Sequence, residues 1–396
     1  MAAAEPVAWP FATGGEYAER LDWLTDVMAA PTGNSGHRRL RQSPRIRVEL
    51  AALEEGRVRR RMESLLRDNS AGWWRVPVPV DACRLEASAS AAATVLMVDT
   101  TGARFVGGGY ALLQGDDPLQ VEVVQIAAGG VASGSLTLEA GLASAWPQWT
   151  LVTPLRLARL SEFPKVGRFT ADASDVVELG FRLEEALDDA AVITGDTYRD
   201  YPVWPFRPVW TSDPQWVPER SLLGSDDEIA APLAYDLAQA PQGQTTMQFA
   251  VDTRAEVVAF RQALFALAGR WSPVWVPSWN SDMRIVADVA NGATSIDIEG
   301  PNLAGTALVS NHRDVRIELW NGTVHYRRIS AVTTHSQGVE RLALGSAIGT
   351  GFAVADVRLV SFLLLCTQDA DTILLRYWTR EVMECELTWR QLVHGL

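Results

Sequence analysis

Lysine is almost missing: Lys165 is the only one among 396 residues, and every other basic side chain is arginine, a bias that points to a GC-rich gene more than to chemistry. The formal net charge is −13. Nucleic-acid binding runs on clustered Lys and Arg, so no nucleic-acid contact is required of this chain. Cysteine is scarce as well. Cys83, Cys366 and Cys385 are odd in number and lack CxxC spacing, which excludes a disulfide framework and a structural zinc site. Five histidines, His37, His312, His325, His335 and His394, show no i, i+4 pair, and His312, His325 and His335 read as lying on separate strands or turns, so no metal is expected. The most apolar run, Phe362-Leu363-Leu364-Leu365-Cys366, is far too short to span a bilayer. The amino terminus has no basic, apolar leader, so synthesis in the cytoplasm without a membrane span is expected.

Catalytic constellations are missing too. Gly33-Asn34-Ser35-Gly36-His37 lacks the Gly-x-Ser-x-Gly spacing of a nucleophile elbow. Gly107-Gly108-Gly109 follows a strand, but no helix opens after it to present N–H groups to a phosphate. Asp116-Asp117 lies between Gly115 and Pro118, which reads as a hairpin turn rather than half of a glycosidase carboxylate pair. The expectation is a protein that is not an enzyme and has no cofactor.

What the chain does contain is a repeat. A helix-period segment at 56–69 runs into Trp74-Arg75-Val76-Pro77, and the pattern returns at 255–269 with Val274-Trp275-Val276-Pro277. Trp9-Pro10-Phe11 answers Trp204-Pro205-Phe206, and the segment beginning Val177-Glu178-Leu179 answers Cys385-Glu386-Leu387. Landmarks that keep their order argue for one module made twice. Within each copy, short alternating stretches separated by turns predict strands at 45–50, 94–99, 110–113, 120–126, 135–138, 151–158 and 169–183, and a helix at 54–68. Gly129-Gly130 reads as one of the turns. Residues 16–28 carry both signals: Leu21, Leu24 and Met28 have helical spacing, while the aromatics and Thr25 favour a strand. With 47% apolar residues the chain can support two cores. The resulting fold class is mainly β, with tandem duplicated β-sandwich modules, each carrying one helix and an inserted small β-barrel. The boundaries are 1–184 for the first module (barrel about 93–160), 185–203 for an acidic, solvated linker, and 204–396 for the second module (barrel about 293–360).

Fifteen tryptophans are many, and several sit beside prolines. Large rings with one polar edge suit subunit interfaces, and they also suit sugar-binding platforms. The amino-terminal arm separates the two. Trp23-Leu24-Thr25-Asp26-Val27, then Gly33, then Arg38-Arg39-Leu40-Arg41-Gln42-Ser43-Pro44-Arg45 resembles a stretch of tail proteins of long-tailed bacteriophages, including distal tail and baseplate hub components. Those proteins often carry Glu before the first Arg, where this chain has Ser35-Gly36-His37. The resemblance implies a β-sandwich starting at the motif and a structural virion protein of the tail tip, forming a ring that joins the tail tube to the hub or central fibre. Its implied partners are further copies of itself (a trimer, with a hexamer as alternative), the tail tube, the tape measure and the central hub or fibre proteins. Candidate interface residues are Trp23, Arg38, Arg39, Arg41, Arg45, Trp204 and Trp275. The competing expectation is a tandem carbohydrate-binding module protein, in which Trp275 and Trp279 would be exposed on one sheet face.

Overall fold

Alternation decides the centre of the molecule. In the computed structural model, residues 17–22 form a strand, Tyr17–Asp22, whose side chains alternate between buried and half-buried. The helical spacing in this region is overridden because the strand is bonded along both edges. The structure describes residues 5–11, 17–185, 189–211, 214–220, 222–225, 228–229, 233–237, 241–300, 303–305 and 312–393. Glu16, residues 186–188 of the linker and His394, all within segments of the sequence reading, lie outside them. The fold is mainly β, with 49% of residues in strands against 10% helical.

One antiparallel sheet runs through both halves of the chain. Its strands follow in the order Val166–Arg168, Ala173–Leu183, Arg45–Glu55, Tyr17–Asp22, Thr372–Tyr377, Met383–Gln391, Gln242–Val251 and Gln215–Glu219. Tyr17–Asp22 bonds to the first half through Arg45–Glu55 and to the second through Thr372–Tyr377. Transverse rows fix the register. Leu160, Phe181, Val48 and Glu19 stand side by side in the first half. Gln368, Trp389, Thr245 and Trp216 stand side by side in the second.

The two helices follow corresponding sheet strands. α1 (Gly56–Asp68) begins two residues later than expected, because Glu54 and Glu55 still pair with Ser174 and Ala173. α2 (Arg254–Leu267) is capped by Thr253, whose Oγ1 accepts from Glu256 N at 3.2 Å. α1 buries only Met62, Leu65 and Leu66. α2 lies beneath the junction of the halves and buries seven residues, including Phe260, Arg261 and Phe265.

Each half also carries a closed circuit of pairings. In the first, Leu151–Leu160 pairs with Tyr110–Gln114, which continues through Val121–Ala132, Ser135–Leu138 and Val95–Met97. The bridge Leu85↔Val98 returns it towards Cys83–Arg84, itself paired to Leu151 and Val152. In the second, the circuit is Val357–Gln368, Asp314–Leu319, Val324–Ser336, Val339–Leu344 and Ser295–Glu299, with the bridge Ile285↔Ile298. Each encloses its own apolar cluster. Gly129-Gly130 is not a turn: it is a bulge inside Val121–Ala132, where the register shifts between Ile126 and Val131. Gly129 has φ 73°, and a Cβ on Gly130 would meet Thr137 O at 2.5 Å, so both positions need glycine.

The expectation of two separate sandwich cores gives way to one central core shared by both halves, beside the clusters inside the two circuits. A central cluster takes Trp9, Trp74 and Phe181 from the first half and Trp204, Phe249 and Trp389 from the second. Continuity of the sheet forces this, since a face shared by eight strands is covered by one core. Nor is the acidic stretch after 184 solvated throughout: Asp189 is largely buried 3.3 Å from Arg261, and Asp196 accepts from the Tyr326 hydroxyl at 2.9 Å.

Candidate functional site

The seam between the halves is where buried charge collects. Glu19 faces inward on the strand Tyr17–Asp22 and is fully buried. An isolated carboxylate there would be untenable, and the chain brings arginine to it. Arg104 reaches in from the inserted circuit, giving Glu19 Oε2 a bond of 3.1 Å from Nη1, a second contact to Oε1 from Nη2, and Asp81 Oδ2 a bond of 2.6 Å from Nε. Asp81, also fully buried, contacts Arg254 and lies 3.5 Å from Arg261, both on α2. Arg254 Nη1 donates to Val80 O at 3.0 Å and to Arg380 O at 3.3 Å. Tyr17 and Tyr377 complete the site, donating to Glu19 at 2.8 and 3.4 Å. Three carboxylates (Glu19, Asp81, Asp189) thus face three guanidinium groups (Arg104, Arg254, Arg261), drawn from both halves.

Burial pushes the Asp81 carboxyl up, but Arg104, Arg261 and Arg254 outweigh it and hold it far below the usual range. Glu19 is balanced the same way: burial raises it, the attraction and hydrogen bond of Arg104 together with the charge of Arg261 lower it, and the result is depressed. Asp189 is raised by burial, which Arg261 only partly offsets. The signs give a pH dependence. Depressed carboxylates contribute stability that is complete above their unfolded values and lost as pH falls through the folded ones, whereas Asp189 contributes in the opposite sense. Thermal unfolding should therefore change little from pH 7 to pH 5 and fall steeply below about pH 4, where unfolded Asp and Glu titrate. Melting temperatures that decline evenly from pH 7 downward would contradict this.

A hairpin closes over the seam. The strands Thr25–Ala29 and Ser35–Arg39 pair with each other and lie against the second half. Trp23 N donates to Asp371 O at 2.9 Å, and Thr25 donates from N and Oγ1 to the Asp371 carboxylate at 2.6 and 2.8 Å. Trp23 is buried edge-on to Phe265 of α2, with ring centroids 5.4 Å apart. Close approach requires Gly269 (φ 69°), whose added Cβ would lie 2.5 Å from Asp371 Oδ1 and 2.9 Å from Trp23 Cβ.

The candidate interface residues fall into three places. Trp23, Arg39 and Arg41 act within the chain at the seam: the Arg39 guanidinium sits 5.3 Å from the rings of both Trp23 and Trp271, and Arg41 Nη1 donates to Asp22 O at 3.1 Å. Arg38 and Arg45 are exposed, across from Asp26 and Asp22. Trp204 and Trp275 are interior to the second half and closed to any other chain. Trp204 is 0% exposed amid Phe206, Phe249, Phe260 and Trp389, while Trp275 is 2% exposed and donates Nε1–H to Tyr198 O at 2.7 Å. Their aromatic and proline neighbours had suggested an interface, but packing of the hydrophobic core uses the same residues.

Trp279 is also buried, between the guanidinium groups of Arg207 and Arg316, each 4.9 Å from its ring. The charged seam residues were missed. Their one sequence signal is a carboxylate on a buried face: Glu19 between Tyr17 and Leu21, and Asp81 after the apolar run at 76–80.

Among the described residues no group of three His, Cys, Asp or Glu side chains is placed to hold a metal ion. His325 and His335 share the strand Val324–Ser336, not separate elements as read. Ser35 Oγ and His37 Nε2 are 2.8 Å apart, neighbours along one face of a hairpin strand. Asp117 accepts from Leu119 N at 3.0 Å in the turn between two strands. No described helix is long and apolar enough to cross a membrane. Comparison with known protein families finds no match, and comparison with curated proteins finds none either.

Proposed function

We propose that this chain is a structural, non-enzymatic virion protein of a long-tailed phage, built of two copies of one β-sandwich module with an inserted barrel, and forming a ring at the tail tip. The observation that carries the duplication is the repeated register. Pro77 and Tyr110 both stand opposite Leu155, as Pro277 and Asp314 both stand opposite Leu363. Val7 runs parallel to Trp74 as Val203 does to Trp275.

A closed ring needs like surfaces repeated around an axis. Two modules per chain let three chains supply six similar positions, so that a six-fold tube and a three-fold fibre can meet on opposite faces of one ring. A hexamer of chains, stacked as two belts, is the alternative. The tail motif supplies the clamp across the seam through Trp23, Thr25 and Arg39. The carbohydrate reading loses its two named platforms, because Trp275 and Trp279 are 2% and 6% exposed. Immunogold labelling of intact phage tails with an antibody to the chain tests the assignment. The expected result is label confined to the tip; unlabelled tails, with the purified chain retained on a polysaccharide matrix, would replace this reading with the rival.

A further inference from the structure

The sheet ends on two open edges, and each is the counterpart of a strand that is sealed inside the chain. At one end stands Gln215–Glu219, which among the described residues pairs only with Gln242–Val251. Its register makes Trp216 the counterpart of Glu19, since Trp216 lies beside Thr245 and Trp389 as Glu19 lies beside Val48 and Phe181. At the other end stands Val166–Arg168, which among the described residues pairs only with Ala173–Leu183. It is the counterpart of Thr372–Tyr377. Phe169 N and Thr170 N donate to Ala173 O as Trp378 N and Thr379 N donate to Val382 O. Thr170 and Thr379 each accept from the two backbone N–H groups that follow in the turn.

Inside the chain these two kinds of edge bind each other, with Tyr17–Asp22 on Thr372–Tyr377 forming the seam. We propose that the same contact forms between chains: the edge Gln215–Glu219 of one copy docks on the edge Val166–Arg168 of the next, head to tail. This rests on the duplication reading, not on the phage reading. Carrying the seam's register across places Gln215 opposite Gly167, Trp216 opposite Val166, Val217 opposite Lys165 and Pro218 opposite Pro164.

Two further observations favour a second copy as the occupant. A groove of about 430 Å³, bounded by Leu66 of α1 and by Phe163, Pro164 and Val166, lies open beside the receiving edge. In the seam the corresponding space, beside Phe265 of α2, is filled by Trp23. Exposed apolar side chains also concentrate at both ends: Phe163 and Phe169 at one, Trp216, Leu222, Leu223 and Tyr235 at the other.

The two contacts differ in strength by design of the backbone. Trp23 N reaches Asp371 O, so alternation directs the N–H groups of Leu21, Glu19 and Tyr17 to the same side. Pro218 takes the place of Leu21, and Pro164 that of Ile373, so this pair offers no donor on either side. Prolines on open edges hold back uncontrolled strand pairing. The interchain contact is consequently weaker than the seam and reversible, with Trp216 as its apolar anchor.

The test uses the full-length chain with Lys165→Cys and Val217→Cys together, since Cys83, Cys366 and Cys385 are all buried. Mild oxidation should give a ladder of disulfide-linked chains ending in a closed species, while Arg168→Cys with Val217→Cys, which point to opposite faces, should not. Sedimentation of the chain without cysteine changes should show association that Trp216→Glu or Val166→Glu weakens about tenfold or more, at unchanged melting temperature. Pro164→Thr with Pro218→Thr should strengthen it. Equal cross-linking of both cysteine pairs, or association indifferent to Trp216→Glu and Val166→Glu, would overturn the contact. Cross-linking as expected, together with phage tails that the antibody leaves unlabelled, would overturn the tail assignment and leave the contact standing.

Discussion

Asp81→Asn should destabilise the chain by about 3–5 kcal/mol, the usual effect of removing one partner from a buried ionic group. The carboxylate is fully buried and touches Arg104, Arg254 and Arg261. Without it three largely buried guanidinium groups remain, with Glu19 and Asp189 left to balance them. The loss should be concentrated at the seam. Hydrogen exchange should quicken in Tyr17–Asp22 and Thr372–Tyr377, while the circuits enclosing Leu96 and Ile317 keep their protection. Denaturant unfolding gives the magnitude, and a change under about 1 kcal/mol, the level of an exposed ion pair, would mean the cluster is not what joins the halves.

Trp204→Ala should cost about 3–5 kcal/mol by cavity formation alone. The ring is completely buried against four aromatic side chains, and its indole N–H has no hydrogen-bond partner among the described residues, so its contribution is area and packing rather than polarity. Trp204→Phe should therefore lose far less than Trp204→Ala. Equal losses would show that something other than packing is being removed. Neither variant should alter assembly at equal folded concentration, because Trp204 faces no free surface.

Local order was largely legible in the sequence. Tyr110–Gln114, Ser135–Leu138, α1 and the closing strand Ala173–Leu183 came within a few residues of their expected limits, because each carries its period and its turn residues on itself. The proposed repeat rests on signals of the same kind: Trp-Pro-Phe and the Val-Pro strand ends are rare enough to be matched. Partnership was not legible. Alternation says which face of Tyr17–Asp22 is buried, but nothing in it names Thr372–Tyr377 as a neighbour, some 350 positions away (Asp22 with Thr372). The ionic cluster shares that difficulty, since Glu19, Asp81, Arg104 and Arg254 come from four separated segments and look like ordinary surface residues until the seam closes. Trp204 and Trp275 failed as interface candidates because large aromatic rings serve a core and an interface equally well.

Copy number tests the central claim most directly, because two like modules joined through one seam build a six-position ring only if three chains take part. Native mass spectrometry of the full-length protein at rising concentration, with the Pro164→Thr and Pro218→Thr variant alongside, should show a closed species at three times 43.3 kDa and no open-ended series above it. Six chains per ring, or a monomer that persists in both proteins at every concentration, would contradict the account.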